Sequence, residues 1–238
     1  MVDGSAVVGR VMLLGSTAPK KTPVSPLATT SPLPALGPVA MLAALSLGLL
    51  AARMVITGNR VSFAFLGWNL FLAALPLAFA LLGRTALLLT WRAPAALLFA
   101  LWLGFLPNAP YLVSDLVHLR QRVGAPFWLD LTMLASFAFT GLLLGGVALV
   151  VVDGVVRARY GAHIAVVFDV GIAVAAGLGV HLGRFDRWNT WDLVTTPHVV
   201  FIDVLEKFGD VRALGFAGAF AILLLAACAA CAPGRQVA

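Results

Sequence analysis

Six apolar runs, separated by short polar or basic segments, leave this chain few folds to choose from. About 20 apolar residues are needed to carry a helix across the hydrocarbon core of a bilayer. Runs that approach or exceed this length lie at about residues 36–56, 61–82, 93–106, 127–152, 163–182 and 213–231, the third cut short by Pro107. Backbone amides and carbonyls find no water at that depth, so each run is expected to close its hydrogen bonds internally as a helix. The composition agrees: 61% of the 238 residues are hydrophobic, 11% are charged and the mean hydropathy is +1.01, outside the range of water-soluble domains. The expected fold is all-α, a polytopic membrane protein in which the lipid bilayer is the main partner.

A net charge of +6 raises the question of nucleic acid. The basic residues are scattered over the segments between apolar runs, with no stripe of interleaved aromatics, so loop charges at a lipid surface explain them and no nucleic-acid partner is expected. Residues 1–34 mix Pro, Ser, Thr and Gly with Arg10, Lys20 and Lys21 and suggest a disordered tail without a cleavable signal segment. Residues 35–232 form the membrane domain and 233–238 a short C-terminal tail. Cys228 and Cys231 fall inside the last apolar run, where a C-x-x-C has neither polar access nor partners for redox or metal chemistry.

Several details bear on the membrane ends of the runs. Arg53 is expected to extend its head to the interface, Thr57-Gly58-Asn59 to turn the chain, Pro76 to kink the second helix, and Asn108-Ala109, between two prolines, to be an unwound end. Two shorter segments are amphipathic. In Tyr111–Arg120, Leu112, Leu116 and Leu119 share one face while Asp115, His118 and Arg122 share another. In Leu193–Arg212, Thr196 is a candidate N-cap before Pro197, and Phe201, Val204, Leu205 and Phe208 make an apolar stripe. Both are expected to be interfacial helices.

The polar residues obey a parity. With six spans, the segments after the first, third and fifth share one face of the membrane. Asn69 and Asp130 lie near the ends of spans two and four that point to that face; Asn108, Tyr111, Asp115 and His118 follow span three; and GRFDRWNTWD, Gly183–Asp192, follows span five. Asp169 lies in the opposite half of the bilayer. One polar cluster is therefore expected, with Asn69, Asn108, Tyr111, Asp130, Arg184, Arg187, Trp188 and Asn189 as candidate ligand-binding residues. Arg184 and Arg187 suit a phosphate or carboxylate headgroup, and Asp115, His118, Asp186 and Asp192 are the candidate catalytic or metal-binding groups. The alternative is that the loop charges pair among themselves to fold the loop, with Trp188 and Trp191 anchoring it at headgroup depth. No recognised zinc spacing, nucleophile elbow or phosphate loop accompanies them, so the sequence names neither a cofactor nor a reaction.

The segments Trp68–Pro76 (WNLFLAALP), Pro107–Leu119 (PNAPYLVSDLVHL) and Gly183–Asp192 together resemble the bacterial membrane-protein family known as domain of unknown function 1361, over most of the chain after about Pro38. That resemblance implies a multi-pass protein of the bacterial cytoplasmic membrane and implies no activity. The family more commonly carries an aromatic residue where this chain has His181. Three functional classes remain at this stage: a binder or enzyme acting on a polar-headed lipid or lipid-linked substrate, a non-catalytic scaffold or partner subunit, and a small-solute or ion transporter. Eight Lys and Arg residues flank each face, so the charge rule assigns no orientation; both termini are expected on one side, taken to be the cytoplasm.

Overall fold

A computed structural model describes residues 33–120 and 124–232; residues 1–32 of the expected N-terminal tail, Arg122 and residues 233–238 lie outside that range, and the last two residues of the expected tail, Leu33 and Pro34, begin the first helix. Among the described residues six helices are long and apolar enough to cross a membrane. They comprise α1 (Leu33–Thr57), α2 (Phe65–Leu88), α3 (Arg92–Phe105) with its continuation α4 (Asn108–Ser114), α5 (Phe127–Tyr160), α6 (Ala162–His181) and α9 (Val211–Cys231). Between α6 and α9 come a π-helical turn, Leu182–Asp186, and two short helices, α7 (Asp192–Thr195) and α8 (Pro197–Lys207). The protein is an all-helical, multi-pass membrane protein.

The 34-residue α5 is the axis of the bundle, packed against α1, α2, α4, α6 and α9. It is apolar around its whole circumference, as a helix enclosed by others must be. Small residues set the spacing. A Cβ on Gly141 would fall far inside contact with the carbonyl oxygen of Ala109, and one on Gly177 would meet the backbone of Ala217 in the same way, so α4–α5 and α6–α9 pack backbone to backbone. The outer faces of the peripheral helices present Met41, Val55, Val167 and Ile222, all more than two-thirds exposed, to lipid.

Several local expectations are revised. Asn108 opens α4 instead of lying in an unwound end. The chain bends at Leu106–Pro107, and Pro110 falls in the first turn of α4, where a missing amide leaves no helical bond unmade. That segment is also not a surface helix. Leu112 is fully buried, Asp115 is 1% exposed, and Asp115–His118 tightens into a single 3-10 turn. Arg53 does not extend its head into solvent. It is 3% exposed, its Nε donates to Asp130 Oδ1 at 2.6 Å, and its guanidinium lies 4.4 Å from the centre of the Phe63 ring. An arginine so buried is tolerable because the carboxylate and the π-face replace part of its lost water, while its Nη1 has no hydrogen-bond partner among the described residues. The fourth span runs on to Tyr160, where an Asp153–Arg157 pair one turn apart extends it. Pro76 is accommodated within a continuous α2.

Helix α8 follows expectation more closely. It starts with Pro197 at its first position, and Phe201, Ile202, Leu205 and Phe208 stand more than half exposed along it. The Thr196 hydroxyl makes no N-cap bond; it donates instead to the carbonyl of Asp192 at 3.3 Å.

Candidate functional site

Asp115 ties three segments at the bundle mouth. Its Oδ2 accepts from Asn69 Nδ2 on α2 at 2.9 Å, and its Oδ1 accepts from Arg184 Nη2 in the π turn at 2.5 Å. Arg184 also donates to Ser114 Oγ through Nε and Nη2, at 2.9 and 2.5 Å, and its guanidinium covers the Tyr111 ring at 4.6 Å. A carboxylate this buried is unfavourable without such partners. Ion pair, hydroxyl and ring together hold the start of the Gly183–Asp192 loop on α4.

Past the π turn the backbone of Arg187 turns left-handed, at φ 63°, while the Trp188 amide still bonds back to Leu182 at 3.2 Å. This reversal lays Trp188–Asp192 across the bundle. Asn108 Nδ2 donates to Thr190 Oγ1 at 3.1 Å and to the carbonyl of Phe105 at 3.0 Å. Trp191 meets Phe105 edge to face, and the Asp192 carboxylate folds back onto the Asn189 amide at 2.7 Å. Helix α8 is tethered in turn: Trp188 Nε1 donates to Asp203 at 2.7 Å and Lys207 to Asp186 at 2.9 Å. The Asp186 hydrogen bond raises the pKa of Lys207 above its ordinary value.

Beneath this roof lies a cavity of about 230 Å³, bounded by α2, the ends of α3 and α6, α4, the loop and Val200 of α8. Asn69, Asn108, Tyr111, Asn189 and Thr190 contribute its polar wall, and Trp68, Phe105, Trp188, Trp191 and Leu193 much of its apolar wall. Among the described residues no formally charged side chain lines it.

A family model described as a protein of unknown function (DUF1361) matches residues 68–227. The chain belongs to this family. Every residue that lines the cavity, from Trp68 to Val200, falls inside the DUF1361 segment. No curated protein and no solved structure matches the chain.

The candidate residues chosen from sequence divide into groups. Asn69, Asn108, Tyr111, Trp188 and Asn189 line the cavity. Arg184 and Asp115 stand behind that wall, paired with each other. Asp130 belongs to a separate buried pair with Arg53, and Arg187 is exposed on the outside of the reversal. The candidate catalytic groups do not converge. Asp115 serves Asn69 and Arg184, His118 packs on the edge of Phe65, Asp186 holds Lys207, and Asp192 folds its own loop. No group of three His, Cys, Asp or Glu side chains suited to a metal occurs among the described residues. His181, with its ring centre 4.7 Å from Phe185 and 5.6 Å from Phe216, fills an aromatic niche, which accounts for an aromatic residue being at home there. Asp169 is buried in α6 and takes no part in the cavity.

Sequence reasoning passed over Trp68, Ser114, Thr190, Asp203 and Lys207. Asp203 and Lys207 were findable as the polar edge of α8 below its apolar stripe. Nothing in the sequence distinguishes Thr190 from its neighbours.

Proposed function

We propose that this protein binds the polar head of a lipid or lipid-linked substrate in the cavity under the Gly183–Asp192 loop. The observation that carries the reading is a small neutral cup at the ends of the membrane helices, walled by amides, hydroxyls and tryptophans, beside a roof with a lipid-seeking face. Trp191 is 61% and Val194 80% exposed on that roof, next to the apolar stripe of α8. Tryptophans and amphipathic helices of this kind settle at headgroup depth, so the cup opens where headgroups are.

Two features weigh against transport and against catalysis. A transporter needs polar groups through the full thickness, whereas the cavity wall comes from one half of the bundle and excludes Asp169. Among the described residues no carboxylate or imidazole lines the cup and Tyr111 is its one acid–base side chain, so the reading is of binding. The surrounding ion pairs act on the loop, holding it over the ligand.

Gly104 gives a clean test. It lines the cup, and a Cβ on it would sit 3.6 Å from Leu193 Cδ1, an ordinary contact. Gly104→Leu should fill the cavity while gaining about 0.5–1 kcal/mol of helix propensity. Mass spectrometry of lipid retained through purification should show a species lost in Gly104→Leu, with thermal stability unchanged or higher. An identical lipid complement in the two proteins would refute the reading.

A further inference from the structure

Two asparagines fix what the cup asks of its ligand. Asn69 spends Nδ2 on the Asp115 carboxylate and Asn108 spends Nδ2 on the Phe105 carbonyl and Thr190. The Asp115 carboxylate facing Asn69 and the Phe105 carbonyl facing Asn108 accept only, so neither amide can be turned round. Asn69 keeps one further Nδ2 hydrogen, but what both side chains have left for a ligand is an oxygen, so two acceptors face it. A ligand must bring donors to meet them. Phosphate and carboxylate oxygens bring none, and in a cup whose wall carries no cation they would also lose hydration without a counter-charge. An ammonium would bring donors but meets no carboxylate on the wall.

Hydroxyl groups satisfy every term. They donate to the two amide oxygens and accept from the Tyr111 hydroxyl and the Asn189 amide, groups whose side chains make no hydrogen bond within the described protein. The tryptophans offer flat apolar faces to the C–H face of a ring. At about 230 Å³ the space is smaller than the roughly 300 Å³ at which pockets for drug-sized ligands begin, which fits a single unit and not a chain of them.

We infer that the cup recognises a neutral, hydroxyl-rich headgroup of one sugar-sized unit, through the acceptor oxygens of Asn69 and Asn108 and the hydroxyl of Tyr111. This rests on the headgroup reading above and deepens it by naming the chemistry. The two arginines of the loop then serve the fold and the outer surface instead of a phosphate.

The test reconstitutes the full chain in phosphatidylcholine nanodiscs doped with monoglucosyl diacylglycerol or with phosphatidic acid, and reads retention by native mass spectrometry. A competition arm adds soluble methyl glucoside. The glucolipid should be retained and phosphatidic acid should not, and Tyr111→Phe, which keeps the ring under Arg184, should weaken glucolipid retention by about three- to tenfold, the effect of one hydrogen bond. Retention of phosphatidic acid equal to or above that of the glucolipid would overturn the inference while leaving a headgroup site. Methyl glucoside displacing the glucolipid at matched concentration would support the hydroxyl chemistry and transfer it from lipid to soluble sugar. Retention of neither lipid, with no displacement, would overturn both readings.

Discussion

Asp115 holds the ends of two membrane helices and a loop with two oxygens, so it is the residue at which the site can be dismantled most selectively. Asp115→Ala would leave Arg184, whose side chain is only 18% exposed, with Ser114 as its remaining hydrogen-bond partner. Breaking such a pair costs about 3 kcal/mol or more, which should appear as a lower midpoint of thermal unfolding in detergent. Replacing both partners, as Asp115→Leu with Arg184→Met, should recover much of that loss, because no charge is then stranded. Both residues were legible in the sequence as polar groups on one face, but their pairing was not. The Asp115–His118 spacing of three suggested a local couple, whereas the partners of Asp115 lie 46 and 69 positions away. Spacing reports neighbours on one helix and is silent about partners on another. Arg53 was misjudged for the same reason, since its partner Asp130 is 77 positions distant.

At the scale of elements, two glycines and a tether control how the site is built. Gly141→Ala would drive a methyl group into the Ala109 carbonyl and the Leu112 side chain. Backbone-to-backbone packing cannot give way cheaply, so a loss of about 1–3 kcal/mol is expected, with α4 displaced and the cavity altered; Gly48→Ala, in open space on α1, is the control for helix propensity and should lose no stability. The spans of α1, α6 and α9 were legible to within a few residues because apolar length leaves little freedom. The burial of α4 was not, because its amphipathic pattern does not tell a face turned to water from one turned to a polar cluster inside the protein. The tether between Lys207 and Asp186 carries a pH dependence. Because the pKa of Lys207 is raised in the folded protein, its contribution is complete below the ordinary lysine value near 10.5 and is lost as pH rises through the raised one. Limited proteolysis of the α7–α8 segment should therefore stay slow from pH 7 up to the ordinary lysine value of 10.5 and quicken only as pH rises beyond it, and Asp186→Asn should flatten that profile.

Across the whole molecule, one topological fact organises the rest: six spans of alternating direction bring the ends of α1, α3–α4 and α6 to the same face as the starts of α2, α5 and α9. Asn69, Asp115 and Arg184 meet because of it. Tags fused at residues 1 and 238 should accordingly report the same side of the membrane. The parity was readable from six apolar runs, and Asn69, Asp115 and Arg184 do meet at one end of the bundle; the cavity itself depends on the roof, and the roof depends on a left-handed Arg187 and a π turn that no pattern announced. The most direct measurement of that roof joins it to the helix beneath it. With Cys228 and Cys231 replaced by alanine, Asn108→Cys and Thr190→Cys should cross-link within one chain by a short thiol-specific reagent, as their side chains touch at 3.1 Å. Rapid intramolecular cross-linking in a folded protein is the predicted result. Two cysteines that react separately with a maleimide and never with each other would place the loop away from the bundle mouth, and would contradict the existence of the cup.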